Sequence, residues 1–348
     1  MTLQQVITEL KAYDGDTIRI MEVCGTHTAS IFKNGIRSLI APQIKLLSGP
    51  GCPVCVTSSA YIDKLVAFSL NENHCVLTFG DMMKVKGSTW SLTEAQARGG
   101  MVKILYSPLD AIEIANTQKH TEFIFAAVGF ETTTPIYAIL LEAIVKNDIK
   151  NLKLITSLKT IVPAISFICE NEAQIDAFLC PGHVSVITGC NIYRELAAKY
   201  RKPFVVAGFE GAHILLAIYE IVHQIQNKAY EMKNLYPNAV SEMGNEKALK
   251  MMADYFEITD DYWRGIGMIE KSALKLRPQY RTYDAGSTVE IRAEQLPQGC
   301  RCKEVILGRA NPSDCPLFAK KCSPLNAIGP CMVSTEGVCG IWYKNREV

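Results

Sequence analysis

"FIFAAVGFETTTPIYAILLEAIVK", residues 123–146, begins as a run of aromatic, β-branched and small residues with no polar face. It then passes through Gly129, one acid and three threonines into a stretch of helical spacing from Ile136 to Lys146. An apolar run without alternation suits a strand covered on both sides, and a helix directly after it suits a βαβ unit. The same texture recurs in "IRIMEVCG" (18–25), "IKLLSGPG" (44–51), "CVLTFGD" (75–81), "VKILYSP" (102–108), "LKLITSL" (152–158), "VSVITG" (184–189) and "FVVAGFE" (204–210). Helix-compatible segments such as Tyr61–Leu70 separate many of these runs. The expected fold is therefore α/β: two similar parallel-sheet domains plus a mixed, cysteine-rich C-terminal domain, for which the cysteines below lead to an iron–sulfur cluster.

The two expected domains share a local pattern. "PGCPVCVTSSAYID" (50–63) lies on "PGHVSVITGCNIYR" (181–194), and each is followed by an apolar run containing glycine, which reads as a diverged duplication. The expected boundaries are 1–29 for an N-terminal segment with the first strand and Cys24, 30–118 for the domain with Cys-x-x-Cys, 119–220 for its counterpart, and 221–348 for a helical and irregular iron–sulfur domain. Beyond residue 220, "IYEIVHQIQNKAYEM" and "EKALKMMADYF" are helical by spacing, and "DYWRGIGMIEKSALKLRPQYRTYDA" is mixed. From 297 the chain is rich in Pro, Gly and Cys with little periodicity, so a bound metal centre is expected to organise it.

The 348 residues are 48% hydrophobic and 20% charged, with 36 basic and 35 acidic side chains. No segment concentrates Lys and Arg as phosphate binding requires, which argues against nucleic-acid and anionic-membrane partners. "MTLQQVITELKAYDGD" has no basic start followed by an apolar core, and no window approaches about 18 apolar residues, so a cytoplasmic protein is expected. In that reducing compartment, thirteen cysteines point to metal or redox chemistry rather than a disulfide framework.

Six cysteines lie between Cys300 and Cys339. Cys315, Cys322, Cys331 and Cys339 are separated by six, eight and seven residues, with Pro316, Pro324 and Pro330 stiffening the loops. Four thiolates on irregular backbone suit a cubane cluster, whereas a zinc Cys₄ site prefers paired short knuckles. Cys300 and Cys302 are one residue apart, and on an extended chain they point to opposite sides, so both are not expected at one cluster.

Cys24 follows a strand and precedes "GTHTASIF", whose Thr26 or Thr28 is a candidate helix cap. A thiolate there would sit in the ligand-binding crevice at strand ends and against a helix N-terminus. Cys52 and Cys55 flank Pro53, which suits the first helical position, so they lie one turn apart on one side, as in thioredoxin-type dithiols. His27 lies three residues after Cys24, and His183 takes the place of Cys52 in the second domain; each suits a hydrogen-bonded structural role as well as proton transfer. Asp81 of "GDMMK" and Glu131, Thr132 and Thr133 of "GFETTTP" follow strands at the same sheet edge, where capping accounts equally for the threonines.

"MEVCGTHT", "LLSGPGCPVC", "FGDMMKVKG", "GFETTTP", "PGHVSVITG" and "GPCMVSTEGVC" together resemble the HypD family of hydrogenase maturation factors, in the family's order from about residue 18 to 343. The resemblance implies a redox-active scaffold that, with a HypC-type chaperone, assembles the Fe(CN)₂(CO) fragment of [NiFe]-hydrogenases and receives cyanide through a HypE-type donor. By motif, Cys24 would bind that iron, Cys52 and Cys55 would be the redox pair, and Cys315, Cys322, Cys331 and Cys339 would hold a [4Fe–4S] cluster. His27, Glu131 and His183 would support them from the surrounding shell. Lys86 in "MMKVKG" stands where the family is expected to carry proline, and touches none of these positions. The alternatives are an iron–sulfur thiol-disulfide oxidoreductase acting on a protein substrate, which would not need Cys24, and a zinc-binding interaction protein.

Overall fold

All but one of the apolar runs quoted above form strands where expected in the computed structural model, which describes residues 2–172, 174–287 and 296–346. In chain order these strands begin with β1 (Ile18–Glu22), β2 (Ile44–Ser48), β3 (His74–Thr78), β4 (Val102–Ile104), β5 (Glu122–Gly129) and β6 (Leu152–Lys159). They continue with β7 (Ala177–Pro181), β8 (Phe204–Ala207), β9 (Met232–Asn234), β10 (Phe256–Trp263) and β11 (Gly267–Leu276). The exception is "VSVITG". Gly182–Thr188 is a helix, and the strand of that unit is the fully buried Ala177–Pro181 just before it. As a strand, Val184 and Val186 would share a face; in the helix Val184 is buried and Val186 is exposed.

Contacts divide the chain into two units, neither continuous in sequence. The first comprises Met1–Cys52, Ala164–Glu246 and Pro297–Val348. Its sheet has the order β2-β1-β7-β8-β9 with every pair parallel. Ile18, Ile20, Ile44 and Leu46 alternate onto one face and pack with Val6, Leu10 and Ile31 and with Ile214, Ile218 and Ile221 of the helix Gly211–Gln226. The three to four residue spacing along that helix makes a single apolar stripe, and each such side chain stabilises by about 1.5–3 kcal/mol when buried. Thr2 and Gln5 close a capping box on the helix Leu3–Lys11, whose Val6 and Leu10 reach the same core.

The second unit comprises Pro53–Pro163 and Lys247–Leu296. Its sheet has the order β10-β11-β6-β5-β3-β4, with β6, β5, β3 and β4 parallel and β11 antiparallel to both β6 and β10. The segment that reads as mixed in sequence is thus a hairpin that converts a parallel sheet into a mixed one. The hairpin joins the second unit while the cysteine-rich tail joins the first, whereas the sequence reading placed both in one terminal domain. The hairpin has large apolar groups to bury, Phe256 and Trp263 among them; the tail has too few for a core of its own. Among the described residues no helix is long and apolar enough to cross a membrane.

The hairpin is fastened to β6 by a buried cation. Lys159 is 1% exposed, and its Nζ donates to Asp261 Oδ2 at 2.5 Å and to the Tyr262 carbonyl at 2.9 Å. Removing one partner leaves the other charge without compensation. Lys159→Ala is expected to lower unfolding free energy by about 3 kcal/mol in urea titration. Lys159→Met together with Asp261→Leu should recover most of that loss.

Candidate functional site

β1 ends at Glu22, and one residue later the chain turns into the helix Gly25–Lys33 with Cys24 at its N-cap in extended conformation. Neither Thr26 nor Thr28 is the cap. The Thr28 hydroxyl donates instead to Glu22 Oε1, and the Cys24 amide donates to Glu22 Oε2 at 3.2 Å. Glu22 is 3% exposed, and burial raises its pKa to about 7 against the opposing hydrogen bonds from Ser48, Thr28 and Cys24. Burial also pushes the part-buried Cys24 thiol up to about 11, with Glu22 adding to it, although the Thr26 and His27 amides and the Thr26 hydroxyl pull the other way. The expected thiolate at a helix N-terminus is therefore a neutral thiol here, because desolvation exceeds the pull of the amides.

Two glycines bring distant chain against this corner. A Cβ at Gly51 would lie 2.6 Å from the Cys24 nitrogen and 2.7 Å from its Cα. A Cβ at Gly25 would overlap the Glu336 carbonyl oxygen. The chain entering the Cys52–Cys55 pair and the terminal "STEG" turn thus both pack on the main chain at Cys24. Cys52 immediately precedes the short helix Pro53–Val56, in which Cys55 is the third residue, and both cysteines are buried. Pro53 does open this helix, as expected, and the contact units divide between Cys52 and Pro53.

The two histidines meet on Phe209, which the sequence reading did not single out. His27 lies 4.7 Å and His183 lies 4.0 Å from the Phe209 ring centroid. His27 is fully buried, with Nε2 3.2 Å from the Gly208 carbonyl and Nδ1 without a partner. Burial lowers its pKa to about 4, and the neighbouring His183 adds to that shift. Burial lowers His183 as well. His27 is therefore neutral at pH 7.

Glu131 belongs to the second unit. It is 5% exposed, its Oε1 accepts from the Ile161 amide at 2.9 Å, and its Oε2 has no partner. Burial raises its pKa to about 7, although its own amide and that of Ile161 oppose the shift. Thr133 stands at the N-cap of the helix Thr134–Lys146 without a side-chain cap bond, Thr132 is exposed, and Asp81 is exposed on the turn Gly80–Lys84.

The terminal cysteines converge more fully than their spacing implies. Cys300, Cys302, Cys315, Cys322 and Cys339 line one pocket with Leu317, Phe318 and Met332, and Cys339 hydrogen-bonds both Cys302 and Cys331. All four cysteines favoured by sequence are in this neighbourhood, and so are the two set aside. A Cβ at Gly329 would lie 2.6 Å from the sulfurs of both Cys300 and Cys302. The expectation that these two diverge fails because the chain is not extended. Gly299 has φ +79°, and a helix starts at Cys302. The Ile328 amide donates to Cys322 Sγ at 3.4 Å, and the Gly329 amide also bonds that sulfur. Among the described residues, no group of three or more His, Cys, Asp and Glu side chains is arranged for a single metal ion. The donor set nevertheless suits an iron–sulfur cluster: sulfur alone, on loops, beside apolar side chains and with amide hydrogen bonds to a sulfur.

Glu22, Phe209 and Gly329 were not picked out in sequence. Only Glu22 left a signal, since it occupies the row of Ile18 and Ile20 where an apolar residue belongs.

The HypD family model, described as "Hydrogenase formation hypA family", matches residues 1–346. A hydrogenase expression/formation protein of Methanocaldococcus jannaschii is 39% identical over 335 residues, covering 96% of this chain and 93% of that protein. The hydrogenase maturation factor HypD of Escherichia coli K12 is 39% identical over 334 residues, covering 95% and 90%. HypD of Rhizobium leguminosarum bv. viciae is 39% identical over 340 residues, covering 94% and 88%.

Glu131 gives a pH signature. Its carboxyl is favoured protonated in the folded chain, so its contribution is complete below its ordinary pKa of 4.5 and is lost as pH rises through about 7. Relative to Glu131→Gln, the native chain is expected to lose about 3 kcal/mol of stability between pH 4.5 and 8, measured by denaturant unfolding across pH.

Proposed function

Since the chain belongs to the HypD family of hydrogenase maturation factors, we propose that it is the redox-active scaffold on which the Fe(CN)₂(CO) fragment of a [NiFe]-hydrogenase is assembled. The observation that carries this reading is the Cys24 corner. A thiol at a strand end, at the N-cap of a helix, has the approach to Cys52 on one side and the terminal cysteine segment on the other. The iron is the cargo, and Cys24 would anchor it by one sulfur, giving up its proton as the metal binds. Cys52 and Cys55, one turn apart at a helix start, would be the thiol pair that exchanges electrons.

Cys315, Cys322 and Cys339, with Cys300 or Cys331 as fourth ligand, would hold a [4Fe–4S] cluster, which when bound supplies one-electron chemistry. Gly329 keeps the Cys300 and Cys302 sulfurs side by side, and the Ile328 and Gly329 amides orient Cys322. His27 and His183, packed on Phe209, would act as hydrogen-bonding groups near the anchor, His27 remaining neutral at pH 7. Glu131 would hold a proton near neutrality in the second unit. The partners on this reading are a HypC-type chaperone and a HypE-type cyanide donor.

The decisive experiment is infrared spectroscopy of anaerobic protein copurified with its HypC-type partner. Cyanide and carbonyl stretching bands are expected, and Cys24→Ala should remove them while the unfolding profile stays native. If Cys24→Ala keeps the bands, or keeps all maturation activity while Cys52→Ala abolishes it, the scaffold reading gives way to a thiol-disulfide oxidoreductase.

The cluster is tested by iron and acid-labile sulfide analysis. Cys315→Ala, Cys322→Ala and Cys339→Ala should each cut iron content about tenfold. Gly329→Ala, which displaces the Cys300 and Cys302 sulfurs, should do the same where Cys300 is the fourth ligand and should spare iron where Cys331 is. Of Cys300→Ala and Cys331→Ala, the one that loses iron identifies the fourth ligand; zinc in place of iron in the native protein would reject the cluster.

A further inference from the structure

A cavity of about 350 Å³ opens in the first unit along the edge strand β2, with lining residues from both of its faces. Its wall carries Arg19, Arg37, Lys45 and Arg309 against a single carboxylate, Asp314. Arg309 is already paired, its Nε and Nη2 meeting the two oxygens of Glu172 at 2.8 and 2.6 Å. Among the described residues, Arg19, Arg37 and Lys45 make no ion pair; Asp176 meets Arg19 only at its main-chain amide. Three cations without an ion pair thus face one cavity, and Arg37 alone also feels the Glu22 carboxyl electrostatically.

Two details separate this group from an ordinary solvated surface. Arg19 and Lys45 are directly opposite in the β1/β2 register, where like charges repel and neither strand gains from the pairing. Arg37 is built in: its Nη1 donates to the Leu46 carbonyl at 2.9 Å, and its guanidinium carbon lies 5.7 and 5.1 Å from the ring centroids of Phe32 and Trp342. Its Nε is buried with no acceptor. A guanidinium fixed by stacking and left with an unsatisfied buried donor is ready to receive an oxyanion without further ordering.

We propose that this cavity binds a small phosphorylated molecule. Three cations against Asp314 and a Glu22 carboxyl about half ionised at pH 7 leave about one and a half positive charges, which a phosphate monoester, carrying about −1.5 to −2 at pH 7, neutralises better than a single carboxylate. Ile40, Pro42 and Leu47 supply apolar wall for a small organic body, and the volume falls in the range of small-molecule sites. Arg19 and Lys45 set the phosphate position, and Arg37 supplies the preorganised donors. The site is separate from the thiol chemistry proposed above, and it stands or falls independently.

The test is calorimetric titration of the full chain, at fixed ionic strength, with inorganic phosphate, glycerol 3-phosphate and succinate. Saturable binding of the two phosphate probes is expected, weakening as salt is raised, with glycerol 3-phosphate the tighter. Lys45→Gln and the double variant Arg19→Gln/Lys45→Gln leave the stacked Arg37 in place and should unfold like the native chain. The double variant should weaken phosphate binding by about tenfold or more. No saturable heat with either phosphate probe, undiminished affinity in the double variant, or succinate binding as tightly as phosphate would each overturn the proposal.

Discussion

Main chain against main chain at Cys24 is the constraint on which the candidate site depends. Gly25 and Gly51 lack the Cβ atoms that would collide with the Glu336 carbonyl and the Cys24 backbone, so three segments far apart in sequence meet with no side chain between them. Glycine at each position gives up about 0.5–1 kcal/mol relative to alanine where the conformation allows either. That loss is offset locally by backbone bonds such as Gly49 N–H to the Glu22 carbonyl at 2.7 Å. The consequence is positional. Cys24, the approach to Cys52 and the terminal cysteine segment are located by covalent geometry and close packing rather than by flexible side chains, as a site needing defined sulfur positions requires.

The electrostatics around that corner share one feature: burial favours the uncharged form of every group. Glu22 is raised to about 7, Cys24 to about 11, and His27 is lowered to about 4, each mainly by desolvation. A strand end packed this tightly does not tolerate an isolated charge, and the hydrogen bonds from Thr28 and the Cys24 amide only partly offset the loss of water around Glu22. Burial thus favours neutral groups at the corner, although the His27 Nδ1 is left without a partner and Arg37 pulls the Glu22 carboxyl toward its charged form.

The sequence was legible wherever local pattern dictated the outcome. Apolar runs such as 123–130 and 204–207 became strands, and Pro53 opened the helix after Cys52, because both depend on residues within one or two turns. It was not legible where tertiary pairing decided. "VSVITG" is short and β-branched, a composition that fits strand and buried helix alike, and the sheet position went to the more apolar Ala177–Pro181. In β10, Ile258 is 64% exposed and lies among Glu257, Asp260 and Asp261, so the strand is held by its register with β11 rather than by a core-facing pattern of its own. Cys300 and Cys302 were misplaced for a backbone reason. The turn at Gly299 folds a stretch that its one-residue spacing alone would lay out straight.

The interleaving of the two units follows from what the tail can bury. Residues 297–346 have too little apolar surface for a separate core, so they fasten to the first unit at points spread along their length. Gly308 packs on Met21, Ile175 and Leu47, Arg309 binds the buried Glu172 with two hydrogen bonds, and Trp342 sits edge-on to Phe32 at 5.0 Å. Between these anchors the cysteine loops are irregular, held by short bonds such as Cys322 N–H to the Leu317 carbonyl at 2.9 Å. A group that ties those sulfurs together would add its binding free energy to the least self-supporting part of the chain. Glu336 belongs to the same segment and abuts Gly25, so the backbone of the cysteine segment packs directly against the Cys24 corner.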